Sequence, residues 1–201
     1  IASALTVLLS LGYLERHDTR PGEYHSLILL ATVGMMVMAS GVHLASIYVA
    51  LELMALSTYI LAGYFRREVK SNEAAAKYFV LGALSSGVLL FGLSLLYGAT
   101  GTLDLAALAT KLAGGASVPA LVAVALIACG FLFKVAAVPF HVWTPDVYEG
   151  APTPITAFMS VGPKAAALAI FVRVFAGGLA PLTPDWRWLL GGAAALTMVW
   201  G

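Results

Sequence analysis

Residues 130–164, GFLFKVAAVPFHVWTPDVYEGAPTPITAFMSVGPK, place two lysines, Lys134 and Lys164, in apolar runs on either side of a short proline-rich connection. A lysine near the centre of a membrane-spanning helix carries an insertion penalty of roughly 2.5 to 3.5 kcal/mol, so it persists where it faces a polar interior. Glu52 is a third residue of this kind, embedded in LASIYVALELMALSTYILAGY (44–64). The three interior charges together cost on the order of 8 to 10 kcal/mol before pairing and hydration are credited. Such a cost points to function at these positions.

The surrounding composition sets the frame. Of 201 residues, 61% are hydrophobic and 10% charged, and the mean hydropathy is +0.93. Soluble domains carry about 25% charged residues, so the chain reads as one polytopic membrane bundle, all-α, without separate domains. The net charge of +1 and the dispersed basic residues give no footprint for nucleic acid and no polybasic lipid-binding cluster. Cys129 is the single cysteine; it has no disulfide partner, and one thiol cannot hold an iron–sulfur cluster. No glycine-rich phosphate loop and no nucleophile with an attendant base is seen, and Asp146 with Glu149 lacks the further ligands a metal site requires. The chain starts at Ile1 and stops at Gly201 inside an apolar run, so both ends read as cuts through a longer protein.

Apolar runs predict a partial span over 1–14, then a loop marked by Pro21 and Gly22, then spans over 24–41 and 44–64 joined by a turn at 41–43. A further span is predicted over 74–97, where Gly82, Ala83, Ser85, Ser86 and Gly87 allow close helix approach. Leucines at 103, 105, 108 and 112 predict a short interfacial helix over about 103–113. The span over 118–143 is predicted to be broken, because Pro139 has no N–H for the Val135 carbonyl. Residues 144–154 read as a connecting loop. A span over 155–175 carries Lys164 about ten residues in, beside Pro163, which frees the Met159 carbonyl. The last run, 186–201, is partial. Freed backbone at membrane depth is tolerated where it is buried in protein or lines a hydrated cavity, so both lysines are expected along a water-containing path. Arg16, Arg20, Arg66, Arg67 and Lys70 fall on one side and Lys111, Arg187 and Arg173 on the other; the positive-inside rule makes the first side, with the 144–154 connection, cytoplasmic.

Each candidate has a plainer reading. Glu52 could be a hydrogen-bonded structural carboxyl, and Lys134 could snorkel to the surface. The functional reading pairs Glu52 with Lys134. Burial favours the neutral amine and the neutral carboxyl, while proximity favours both charged forms, so separating or rejoining the pair moves protons on and off the lysine. Lys164, too deep to snorkel, is the relay candidate. His43, Lys77 and His141 are accessory candidates near helix ends, where packing or snorkelling is the plainer account. Trp143, Tyr148 and Trp186 fit an aromatic belt at the membrane surface, and Met35, Met36 and Met38 read as packing.

The stretches ALELMALSTYILAGYFR, EAAAKYFVLGALSSGVLLFG and FKVAAVPFHVWTPDVYEGAPTPITAFMSVGPKAA closely resemble the antiporter-like membrane subunits of the proton-pumping NADH:quinone oxidoreductases, complex I, and particularly their N type. The L and M types and the multi-subunit cation/proton antiporters usually carry a loop closer to WLPDAMEGPTPVSA. The resemblance implies inverted repeats, each with a broken helix, of which the chain holds the first. It implies Glu52 and Lys134 as a charge pair on neighbouring helices and Lys164 as the station passing protons onward. It implies no cofactor or metal on this chain, with NADH, FMN, iron–sulfur clusters and quinone in partner subunits. Expected partners are other membrane subunits, antiporter-like ones included, together with the bilayer and protons. The expected location is the bacterial plasma membrane, with an organellar inner or thylakoid membrane as the alternative. A cation/proton antiporter subunit and a non-conducting structural subunit remain the rival readings.

Overall fold

The computed structural model describes residues 1–17 and 21–200. Arg20, counted above among the basic residues of one side, and Gly201 lie outside the described residues. The described chain is a bundle of α-helices: α1 (Ala2–Glu15), α2 (Pro21–Ser40), α3 (Leu44–Ala62), α4 (Val69–Thr100), α5 (Leu105–Leu112), α6 (Val118–Val135), α7 (Thr144–Gly150), α8 (Thr153–Arg173) and α9 (Thr183–Trp200). A π-helical turn at Val174–Gly178 and a 3₁₀ turn at Ala180–Leu182 join α8 to α9. Among the described residues, five helices are long and apolar enough to cross a membrane: α2, α3, α4, α6, and α8 with its π turn. The protein is an integral membrane protein of the polytopic helical type.

Several boundaries differ from the sequence reading. Pro21 and Gly22 open α2 instead of belonging to the loop, because a proline's missing N–H costs nothing in a helix's first turn. The same chemistry starts α9 at Thr183 and Pro184 rather than at Trp186. Between α2 and α3 the turn is as short as expected. His43 caps α3, its Nδ1 accepting from the Ala45 N–H at 3.3 Å, and the Leu44 and Leu105 N–H groups donate to the Leu103 and Val42 carbonyls. At Gly34, a Cβ would lie 2.7 Å from the Ala50 carbonyl oxygen, so the bare backbone is what brings α2 and α3 together. The interfacial helix is present as α5, capped by the Asp104 carboxylate and burying Leu105, Leu108 and Leu112.

The largest correction concerns 118–154. Helix α6 ends at Val135, well before 143, with Ala136 in the left-handed region at φ 60°. The Ala136 and Ala137 N–H groups close the end by donating to Phe133 and Leu132 carbonyls, the pattern of a Schellman stop. After a turn containing a cis Val138–Pro139 bond, residues 144–150, read above as loop, form α7. Asp146 and Glu149 on α7 pair with Lys77 and Lys70 of α4, both at short range (2.5 and 2.7 Å). Gly150 sits against the backbone of Lys70. Helix α6, its break and α7 therefore make one interrupted crossing, antiparallel to α4.

Two further expectations are revised by this arrangement. Trp143 is not at a membrane surface: it is buried, stacks on Tyr78 at 4.6 Å, and donates its indole N–H to the Phe133 carbonyl at the break. Trp186 donates to the Leu179 carbonyl at 2.9 Å. Helix α8 runs unbroken through Pro163, so Lys164 does not stand at a disturbed helix. The irregular turn of this element is the π turn at 174–178 instead. In the small-residue stretch of α4, Gly82, Ser85 and Ser86 are buried, while Ala83 and Gly87 are exposed. Of the methionines, Met35 and Met38 pack inside and Met36 faces outward.

Candidate functional site: a buried lysine and its polar neighbours

Lys134 occupies the last turn of α6, beside the break, and is 7% exposed. Because α7 continues the crossing, the lysine lies within the bundle's depth and does not snorkel. Its ammonium donates to the Tyr59 hydroxyl at 3.2 Å and lies 5.6 Å from that ring's centre. Phe133 supplies a second aromatic face at 5.9 Å, a cation–π setting that partly replaces lost hydration.

Glu52 sits on α3, two turns before Tyr59. Its carboxylate accepts from the Ser86 hydroxyl of α4 at 2.5 Å. It makes no ion pair with Lys134; among the described residues the ion pairs are those of Lys70 with Glu149 and of Lys77 with Glu73 and Asp146. The expected charge pair is therefore not a direct contact in this structure. Helix α4 is the surface on which both α3 and α6 pack, and Tyr59 reaches across it to the lysine. Gly82 makes this possible, since a Cβ there would lie 2.0 Å from the Tyr59 hydroxyl oxygen.

Lys164 is half-buried on α8, with its ammonium 5.3 Å above the Tyr148 ring of α7. No hydrogen bond or ion pair links it to Lys134 or Glu52; between Lys134 and Lys164 in the chain lies the broken crossing. Along that segment His141 Nδ1, Thr144 Oγ1 and the Tyr148 hydroxyl are buried with no protein hydrogen-bond partner. Such groups bind water when a site is roomy enough.

Of the accessory candidates, His141 belongs to this polar row. His43 is spent on capping α3 at the far end of the bundle, and Lys77 ties α4 to α7. Sequence reasoning missed Tyr59, Gly82, Ser86 and Tyr148 as members of the site. Tyr59 was findable as the aromatic seven residues after Glu52, on the same helical face. Thr144 and Tyr148 stand one turn apart, but only once that stretch is known to fold as α7.

The comparisons agree with this architecture. Residues 41–201 match the family described as NADH:quinone oxidoreductase/Mrp antiporter, TM. The chain is 50% identical over its full length to NADH-quinone oxidoreductase subunit N of Trichlorobacter lovleyi, of which it spans 42%. Among solved structures, respiratory complex I from Thermus thermophilus with bound aureothin superposes with a TM-score of 0.72 at 42% identity, over 86% of this chain and 38% of that one. The Mrp complex from Dietzia sp. superposes with a TM-score of 0.74 at 28% identity, over 89% of this chain and 34% of that one. With half its residues identical to a subunit N and its helices superposing on complex I, the chain belongs to the transmembrane family shared by NADH:quinone oxidoreductases and Mrp antiporters.

Proposed function

We propose that the chain is part of a proton-translocating N-type subunit of an NADH:quinone oxidoreductase in a bacterial plasma membrane. Glu52, Lys134 and Lys164 are its ionisable stations. The observation that carries this reading is a buried ammonium at the end of a helix interrupted inside the bundle. A structural lysine gains nothing from such a place, whereas a proton carrier requires burial, an acid in electrostatic range and polar groups for water. The identity to a subunit N supports the choice of complex.

In this mechanism Lys134 is held charged by Glu52 acting through the polar cluster. When redox energy released in partner subunits weakens that attraction, the lysine favours its neutral amine and releases a proton. The proton passes along water held by His141, Thr144 and Tyr148 toward Lys164. NADH, FMN, iron–sulfur clusters and quinone belong to partner subunits, a placement supported by the lone Cys129. Other antiporter-like subunits are the membrane neighbours. Because Asp146 and Glu149 pair with Lys77 and Lys70 in the N-terminal turns of α4, α7 shares the side assigned as cytoplasmic.

The test is proton uptake by inside-out vesicles carrying the assembled complex. Lys134→Ala and Glu52→Ala should each lower NADH-driven proton transport while assembly stays normal; unchanged transport defeats the mechanism. The superposition on an Mrp complex favours a second reading, a cation/proton antiporter subunit. That reading predicts cation-driven proton exchange in the same vesicles without NADH.

A further inference from the structure

We propose that the Tyr59 hydroxyl is itself a station of the relay, the one through which Lys134 exchanges its proton with Glu52. This inference rests on the function proposed above. Three independent features place the hydroxyl there. It is the group that accepts from the Lys134 ammonium. It is on the same helical face as Glu52, with Tyr48 one turn beyond. And α4 gives up a side chain at Gly82 where the hydroxyl crosses, while its neighbour one turn on, Ser86, holds the Glu52 carboxylate. A tyrosine that merely packed would need no such notch, because the ring already has Tyr78 edge-on at 4.5 Å and Phe79 at 5.9 Å.

The transfer balances without any further reactant. A protonated Glu52 gives its proton, through water, to the Tyr59 oxygen as the tyrosine's own O–H proton passes to the neutral Lys134 amine. The result is a carboxylate, an unchanged tyrosine and the Lys134 ammonium, loaded for release toward Lys164. Residues 52 and 59 are separated by about 10 Å along the axis of α3, so water completes the path between them. The ionisable groups around the hydroxyl are Lys134 from α6, Tyr78 from α4, and Glu52 and Tyr48 from α3.

The experiment uses the complete subunit within the assembled complex, in inside-out vesicles, with NADH oxidation and proton uptake read together. Tyr59→Phe keeps the ring and its aromatic contacts. It is expected to assemble normally and to lower coupled proton transport about tenfold, the worth of one hydrogen bond to a charged group. A fluorinated tyrosine at position 59, which preserves shape and makes the hydroxyl more acidic, is expected to shift the pH profile of proton transport toward acid. If Tyr59→Phe assembles and pumps as the parent does, the inference is overturned. If it does not assemble, the fluorinated residue decides, and an unmoved pH profile overturns it. Lys134→Ala separates the two levels: normal pumping in that variant removes the relay altogether, whereas lost pumping with a fully active Tyr59→Phe removes only the tyrosine.

Discussion

A Cβ at residue 150 would lie 2.4 Å from the Lys70 carbonyl oxygen and 2.8 Å from the Ala74 Cβ, whereas one at residue 87 would meet nothing within 4 Å. Both are glycines in a sequence crowded with small residues, and both read alike there. At Gly150 the obstacle is backbone, which cannot swing aside, so Gly150→Ala should push α7 off α4 and cost about 1–3 kcal/mol. Gly87→Ala should be neutral or stabilising by up to about 1 kcal/mol, since alanine is the better helix former. Thermal unfolding of the two variants in detergent checks the contrast; equal midpoints would refute it. The same limit on the sequence applies at Glu52 and Lys134. That these charges are costly follows from hydropathy alone, but Tyr59 and Ser86, the groups that touch them, come from helices α3 and α4 whose rotation about their axes the sequence leaves open.

Among the elements, the interrupted crossing is the one whose form matters most. Pro139 told of a break, yet the break falls earlier, at Ala136, because the chain finds a Schellman stop there before the proline is reached. Ala136 holds a left-handed conformation, φ 60° and ψ 41°, which an L side chain adopts at a cost of roughly 1–2 kcal/mol. Ala136→Gly relieves this cost, offset in part by glycine's greater freedom in the unfolded chain. It is expected to raise stability by about 0.5–1 kcal/mol, read as a higher unfolding midpoint in detergent; a lower midpoint would mean the alanine methyl is needed for packing. The break is also sealed from elsewhere in the bundle. Trp143 takes the Phe133 carbonyl, and the Val138 N–H donates to Thr197 of α9 at 3.0 Å. Neither bond is legible in sequence, since each joins residues brought together by folding. Helix α7 was hidden for a different reason: at seven residues it has too few turns to show a period.

At the scale of the molecule, α4 is the spine: α3, α6 and α7 all pack against it, and its length of 32 residues exceeds the bilayer core at about 1.5 Å per residue. Its ends therefore mark the two surfaces. In a Cys129→Ala background, a cysteine at 149 should react with a membrane-impermeant maleimide from one side. Cysteines at 111 and 187 should react from the other; labelling of all three from one side would contradict the bundle's direction. The sequence by itself determined that this is an all-helical membrane bundle and which three charged residues lie inside apolar runs. Those conclusions depend on hydropathy and on proline's missing donor, and both belong to single residues. Only the tertiary structure decided that Lys134 meets the Tyr59 hydroxyl over a glycine notch and Glu52 the Ser86 hydroxyl, that α7 continues the crossing, and that Lys164 lies over Tyr148. These depend on how helices rotate and stack against α4, and that is settled by packing among residues far apart in the chain.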